Sequence, residues 1–195
     1  MKLLRESIDR FFDFDIHVET RTLFLSDSED GSGVGPKMAE KTIKGLHLLE
    51  TADASKPITI IMNSMGGSWY DGMAIYDRIR ASPCPVIIKV YGSCMSMATL
   101  ILQAADERVL LPNTTFMIHD GSDYFQGEAK SFEAWGKNSA KLRERMYEIY
   151  AEGSKHDTSF WKKKCASDFI INAEEAVEFG LADKVEYPDP EEPSE

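Results

Sequence analysis

The chain is short of cysteine, of basic charge and of long apolar runs, and each shortage excludes something. Its three cysteines, Cys84, Cys94 and Cys165, are odd in number and widely spaced. They form no C-x-x-C pair and no zinc spacing, which predicts reduced, inert thiols and argues against a disulfide framework or a structural metal. Lysine and arginine total 22 against 33 acids, for a net charge of −11. Nucleic-acid binding needs clustered basic side chains, so that class of partner is set aside. The one basic run, Lys162 to Lys164, reads as a solvated helix face. No apolar run reaches the roughly 18–20 residues that span a bilayer. The opening MKLLRESIDRFFDFD is charged throughout and is not a secretory signal, so a cytoplasmic protein with no membrane partner is expected. There are only four histidines, which keeps the search for a general base short.

What is present is an alternation of short β-branched runs with helical patterns. Strands are predicted over 21–26, 57–64, 85–92, 108–112 and 114–121. Helices are predicted over 36–51, 69–81, 96–105, about 128–152, about 157–165 and 173–179. In the first helix Met38, Ile43, Leu46 and Leu49 fall near one face, and Pro36 suits its first turn. The segment 26–35, SDSEDGSGVG, reads as a loop, and 186–195, EYPDPEEPSE, as an acidic disordered tail. Strand–helix alternation implies βαβ units, a largely parallel sheet and an α/β fold. In such folds chemistry gathers where strands end and helices begin, because helix N-termini present free N–H groups there.

Two such corners stand out. In NSMGGSWYDG, Gly66 and Gly67 end a strand, where paired glycines permit positive φ and close approach of backbone N–H groups to an anion. Alone it says little, because a plain turn is the commoner reading of an isolated Gly-Gly. In GSCMSMA a nucleophile on a sharp strand-to-helix turn needs small residues two before and two after it. Ser96 has Cys94 and Ala98 there, whereas Ser93 has Tyr91 and Met95, which favours Ser96. An ordinary helix N-cap is the competing reading of Ser96.

A nucleophilic serine needs a base. His17 and His47 lie in the N-terminal third, and His156 sits in the polar GSKHDTS, read as a solvated turn. His119 closes the apolar run TTFMIHDG and is the candidate, with a satisfied structural histidine as the alternative. The base in turn needs an orienting carboxylate. Asp120 is adjacent but points to the opposite face if the strand persists. Asp168 lies in an irregular stretch before a helix start at Asn172, free to fold onto the site, and Asp183 is the fallback.

With those residues assembled, the chain resembles the ClpP family, the proteolytic subunits of ATP-dependent Clp proteases, from about residue 17 to 187. NSMGGSWYDGMAIYD is similar to the family's Asn-Ser-Pro-Gly-Gly stretch and following helix, and GSCMSMA to its Gly-Gln-Ala-Ala-Ser-Met-Gly, whose nucleophile falls on Ser96. PNTTFMIHDG resembles the segment that carries the base, placing it at His119. DFIINAEEAVEFGLAD resembles the segment whose triad aspartate falls on Asp168 and not on Asp183. The oxyanion donors carry over to the backbone N–H groups of Gly67 and Met97.

The resemblance implies a crotonase-like core of βαβ units with an extended handle helix after Gly127. It implies one serine peptidase domain over 1–187, with a head of about 1–122 and 166–187 and a handle of about 123–165, followed by the acidic tail 188–195. It further implies a serine endopeptidase that cleaves peptides or unfolded proteins inside a ring homo-oligomer of stacked heptamers. Neither metal nor organic cofactor is implied, and ATP is used by a separate AAA+ unfoldase. Several positions depart from the family pattern: Ala98 stands for Gly, Met65 for Pro, and Asp120-Gly121 for Gln-Pro. Asp120 is therefore expected to raise the pKa of His119 or to compete as its orienter. Thr59 and Ile61 stand where bacterial members carry the tyrosines that help dock the unfoldase, which weakens that partnership. In this respect the chain is similar to ClpP-like proteases of phages and prophages, some assigned to head maturation. Two other functions compete: a crotonase-type acyl-CoA hydratase or hydrolase on the same core, and a non-catalytic ring subunit.

Overall fold

The computed structural model describes residues 11, 13–27, 31, 33–122 and 124–188. The first ten residues of the charged N-terminus, most of the 28–32 loop and the acidic tail beyond 188 lie outside the described residues.

The core is a largely parallel sheet whose strands are joined chiefly by helical crossovers. The elements run β1 (Ile16–His17), β2 (Thr22–Ser26), α1 (Pro36–Ala52), β3 (Ile58–Ser64), α2 (Trp69–Arg80), β4 (Val86–Met95), α3 (Met97–Gln103) and β5 (Glu107–Leu110). They continue with β6 (Thr115–Ile118), α4 (Ala129–Gly153), α5 (Thr158–Cys165), β7 (Phe169–Ile171), α6 (Ala173–Glu178) and β8 (Lys184–Val185). The sheet order is β1-β2-β3-β4-β5-β8, with β6 and β7 branching from β4. Pairing is parallel from β2 to β8, and β1 is antiparallel at the edge. This is the mixed α/β architecture that the alternating pattern predicts.

Burial follows the two periodicities. In β3, Ile58, Ile60 and Met62 are wholly buried while Thr59 and Ile61 on the other face are half-buried. Each fully buried aliphatic side chain contributes about 1.5–3 kcal/mol relative to exposure. Helix α1 buries Ala39, Thr42, Gly45, Leu46 and Leu49, so the stripe is rotated slightly from the predicted one and leaves Met38 and Ile43 half-buried. Helix α4 is split along its length. Its C-terminal part buries Met146, Tyr147, Ile149 and Tyr150, whereas Phe132 and Trp135 near its start are about half exposed.

The differences from the predicted elements cluster around β4. That strand runs three residues beyond 92, to Met95, and β6 stops at Ile118 instead of reaching 121. Strands β1, β7 and β8 have two or three residues each, too few to show a period of two. Two side-chain readings also change. Lys164 is half-buried with its Nζ 4.2 Å from the Phe169 ring centre, so the lysine run is not wholly solvated. His156 is stacked on Phe160 at 3.9 Å and is not in a solvated turn. Among the described residues no helix is long and apolar enough to cross a membrane.

Candidate active site

The site is built where β4 and β6 end and β7 begins. Strand β4 pairs with β5 through Val90 and with β6 from Ser93 onward. Between the pairs Met62↔Val90 and Ser64↔Cys94, β4 uses two more residues than β3. This bulge redirects the end of β4. Ser93 lies in it and is spent on holding it, since Asn63 Oδ1 accepts both the Ser93 amide at 3.1 Å and its hydroxyl at 2.7 Å.

Ser96 follows β4 with φ 51° and ψ −125°, a conformation that costs a non-glycine residue about 1–3 kcal/mol. The surroundings over-determine it. Its N–H donates to the Met117 carbonyl at 2.8 Å, and its carbonyl accepts from the Thr99 amide at 3.0 Å and the Thr99 hydroxyl at 2.6 Å. Thr99 is backed in turn by the buried Tyr150 hydroxyl at 2.6 Å. The Ser96 side chain makes no capping hydrogen bond to α3, which removes the N-cap reading. Its Oγ lies 2.8 Å from His119 Nε2.

Strand pairing brings the third residue in. Strands β6 and β7 are antiparallel with Ile118 opposite Phe169, so one step further sets His119 opposite Asp168. Their side chains meet there, Nδ1 to Oδ1 at 3.2 Å. The His119 side chain is 26 % exposed and that of Asp168 65 %. Behind Asp168, α6 begins as predicted, with an Asn172–Glu175 capping box.

The glycine corner faces this relay. Gly66 and Gly67 have φ of 100° and 150°. The Gly66 carbonyl accepts from Val34 N–H and the Val34 carbonyl from Ser68 N–H, each at 2.8 Å. Asp27 Oδ2 accepts the Met65 amide at 2.8 Å, and Ser64 Oγ accepts the Gly66 amide at 3.1 Å. A side chain at Gly66 would meet Ser96 Cβ at 2.7 Å and Met97 N at 2.9 Å, so this loop is pressed onto the elbow. Met97 is the first residue of α3, and its N–H is one of those a helix leaves without an internal partner. Gly67, Ser96, Met97 and His119 share the wall of a cavity of about 1000 Å³ that extends to Phe125 and Trp135.

The other candidate acids are occupied elsewhere. Asp120 lies beyond the end of β6, where its Oδ1 accepts the Tyr147 hydroxyl at 2.6 Å; it is not the orienter of His119. Asp183 receives Arg108 Nη2 at 2.6 Å and the Arg108 amide at 2.7 Å, so the fallback assignment is overturned. Burial would push the Asp183 carboxyl up, but the Arg108 hydrogen bonds and charge hold it below its ordinary value. The three cysteines are free and buried. Burial pushes the Cys94 thiol well up, and burial with the Asp120 charge pushes Cys165 up to about 12. Both remain protonated and unreactive at neutral pH. Among the described residues no group of three His, Cys, Asp or Glu side chains could hold a metal.

Sequence reasoning missed the supports of the site: Thr99, Tyr150, Tyr147 and Asp27. Thr99 carried a signal, a hydroxyl three residues after the nucleophile candidate. The tyrosines lie in the long helix predicted over about 128–152, whose many polar side chains mask its buried stripe in the sequence.

Comparison with known proteins identifies the family. The family model described as Clp protease matches residues 14–188. The chain belongs to the Clp protease family. It is 37 % identical over 155 residues to the ATP-dependent Clp protease proteolytic subunit 2 of Pseudomonas aeruginosa, covering 78 % of this chain and 77 % of the relative. It is 34 % identical over 157 residues to a proteolytic subunit of Deinococcus radiodurans, covering 80 % and 77 %. It is 33 % identical over 172 residues to proteolytic subunit 1 of Protochlamydia amoebophila, covering 86 % and 81 %. Membership makes this Clp protease relative a protease subunit of the serine type, and it removes the acyl-CoA alternative.

Proposed function

We propose that the chain is a serine endopeptidase in which Ser96 is the nucleophile, His119 the general base and Asp168 the orienting carboxylate. The observation that carries this reading is the unbroken relay from Ser96 Oγ to His119 Nε2 at 2.8 Å and from His119 Nδ1 to Asp168 at 3.2 Å. With its proton on Nδ1 and donated to Asp168, His119 presents the Nε2 lone pair to the Ser96 hydroxyl. Ser96 Oγ attacks the scissile carbonyl as Nε2 takes its proton. His119 then gives that proton to the leaving amine, and an acyl-Ser96 ester forms. Water, deprotonated by the same nitrogen, hydrolyses the ester and returns Ser96 to its starting state. The Gly67 and Met97 amides bind the oxygen that becomes negative in each tetrahedral step. All three relay positions are filled and in contact, which disfavours a non-catalytic ring subunit.

Peptides and unfolded chains are the substrates of this reading, cleaved inside a ring homo-oligomer in the cytoplasm. The head comprises about 1–122 and 166–187, and the handle about 123–165. The relatives are named as subunits of ATP-dependent proteases, which supports an unfoldase partner; Thr59 and Ile61 at the expected tyrosine positions oppose it. The peptidase chemistry itself needs no nucleotide.

The test is active-site labelling by a fluorophosphonate with mass spectrometry, run beside native mass measurement. Wild type and Ser93→Ala label on Ser96 and Ser96→Ala does not label. Label that survives Ser96→Ala sinks the assignment, and a labelled monomer sinks the ring.

A further inference from the structure

His119 is held weakly from the Asp168 side. A carboxylate 65 % exposed at 3.2 Å is a loose restraint on an imidazole, since water competes for both partners. The ladder also gives out just before the base, because the last β6–β7 pair is Ile118↔Phe169. The next residue along, Asp120, is by contrast anchored twice. Its N–H donates to the Cys165 carbonyl at 2.7 Å. Cys165 ends α5, so this bond satisfies a carbonyl the helix leaves open and ties Asp120 to the segment that leads into Asp168. Its Oδ1 accepts the Tyr147 hydroxyl at 2.6 Å, and Tyr147 is 2 % exposed in the core face of α4.

We propose that Asp120, latched by the Tyr147 hydroxyl and the Cys165 carbonyl, is a positioning residue that fixes His119 between Ser96 and Asp168. This rests on the relay reading given above. The ladder fixes His119 on one side through Ile118, and the latch fixes it on the other through Asp120. One doubly anchored residue therefore sets the base against the strand that carries Ser96 and the segment that carries Asp168. The latch works through a hydrogen bond, so it needs an acceptor at 120 and a hydroxyl at 147, not a charge at 120.

The test uses the full chain with Tyr147→Phe, Asp120→Ala, Asp120→Asn and the double variant Asp120→Ala/Tyr147→Phe. Two quantities are read: kcat and KM on a fluorogenic peptide, and hydrogen exchange of the peptide spanning 116–122. Tyr147→Phe and Asp120→Ala are expected to lower kcat on the order of 10-fold with KM within about twofold, as a misplaced base does. Both should also speed exchange of that segment. Asp120→Asn keeps an acceptor oxygen and should stay near wild type in both readouts. The double variant should be no slower than the worse single one, because the two changes break one bond. Unchanged exchange and kcat in Tyr147→Phe overturn the latch, as do multiplying losses in the double variant. Loss in Asp120→Asn equal to that in Asp120→Ala also overturns it, since the charge would then be what matters. Exchange is read without activity. A wild type that neither cleaves nor labels at Ser96 therefore refutes the relay reading while the exchange data still decide the latch.

Discussion

Adding one methyl group at Gly66 tests the proposed elbow and oxyanion loop together. The new Cβ would sit 2.7 Å from the Met95 carbonyl oxygen, 2.7 Å from Ser96 Cβ and 2.9 Å from Met97 N. None of the three atoms is the end of a flexible side chain, so the backbone on one side has to move. Restoring ordinary contact at 3.4 Å requires about 0.7 Å of separation. The φ of 100° adds a conformational cost of about 1–3 kcal/mol for alanine. Both sides are hydrogen-bonded, the elbow through Met117 and Thr99 and the loop through Val34, Ser64 and Asp27, but Met65 and Gly66 lie between elements while Ser96 joins β4 to α3, so the glycine loop is the side expected to yield. That loop carries the Gly67 amide away from the oxyanion position. Losing one oxyanion donor costs about 2.7–4 kcal/mol, or 10²–10³ in kcat. Gly66→Ala should therefore lose about 10²–10³-fold in kcat with KM little changed, while fluorophosphonate still reaches Ser96, only more slowly. Steady-state peptide hydrolysis with a thermal melt alongside decides it. A folded Gly66→Ala protein with kcat within threefold of wild type would refute both the close packing and the oxyanion role.

Three further outcomes follow from the same geometry. Asp168→Asn should cost about 10²–10³-fold in kcat, less than the roughly 10⁴-fold or more from Ser96→Ala, because the exposed Asp168 is partly replaced by water; equal losses in the two variants contradict this. Thr99→Val leaves the wholly buried Tyr150 hydroxyl without its partner and should destabilise by about 1–3 kcal/mol, read as a melting point lower by about 2–4 °C per kcal/mol. Asp183 has a folded-state pKa held below its unfolded value of about 3.9, so its pairing with Arg108 stabilises above that pH and is lost as pH falls through the folded value. The stability gap between wild type and Asp183→Asn, measured by denaturant melts, should accordingly be full at pH 7 and narrower near pH 3; a constant gap rejects the linkage.

The order of the elements was legible because β2, β3, β4, α1, α2 and α4 are long enough to show their periods. The candidate serine was legible too, since only Ser96 of the two had small residues on both sides. The orienting acid was legible only in part. Strand alternation counted against Asp120, and Asp168 was preferred to the fallback Asp183 for lying in an irregular stretch before Asn172, a choice the family resemblance then sharpened. The physical reason for the pairing is the β6–β7 register, and β7 has only three residues, Phe169–Ile171, too few to announce themselves. The fate of Asp120 was equally hidden, because its acceptor role depends on Tyr147, 27 residues away on the long helix predicted over about 128–152, whose sequence reads as polar-faced. Asp183 looked available until Arg108, from another strand, claimed both of its oxygens.

The three relay residues are not held alike, and the difference follows from how far each stands from paired backbone. Ser96 abuts the end of a ten-residue strand and has its amide, its carbonyl and the support of that carbonyl all bonded, which is what sustains a strained φ of 51°. His119 stands one residue past β6 and depends on Ile118 before it and Asp120 after it. Asp168 stands one residue before β7, largely in solvent. Under the proposed roles, precision thus declines from nucleophile to orienter, in the order in which misplacement would damage the chemistry. A nucleophilic oxygen has to be held closely, since misplacement by about 1 Å costs on the order of 10²-fold in rate. The orienter has only to favour one tautomer, which a carboxylate does from a looser position.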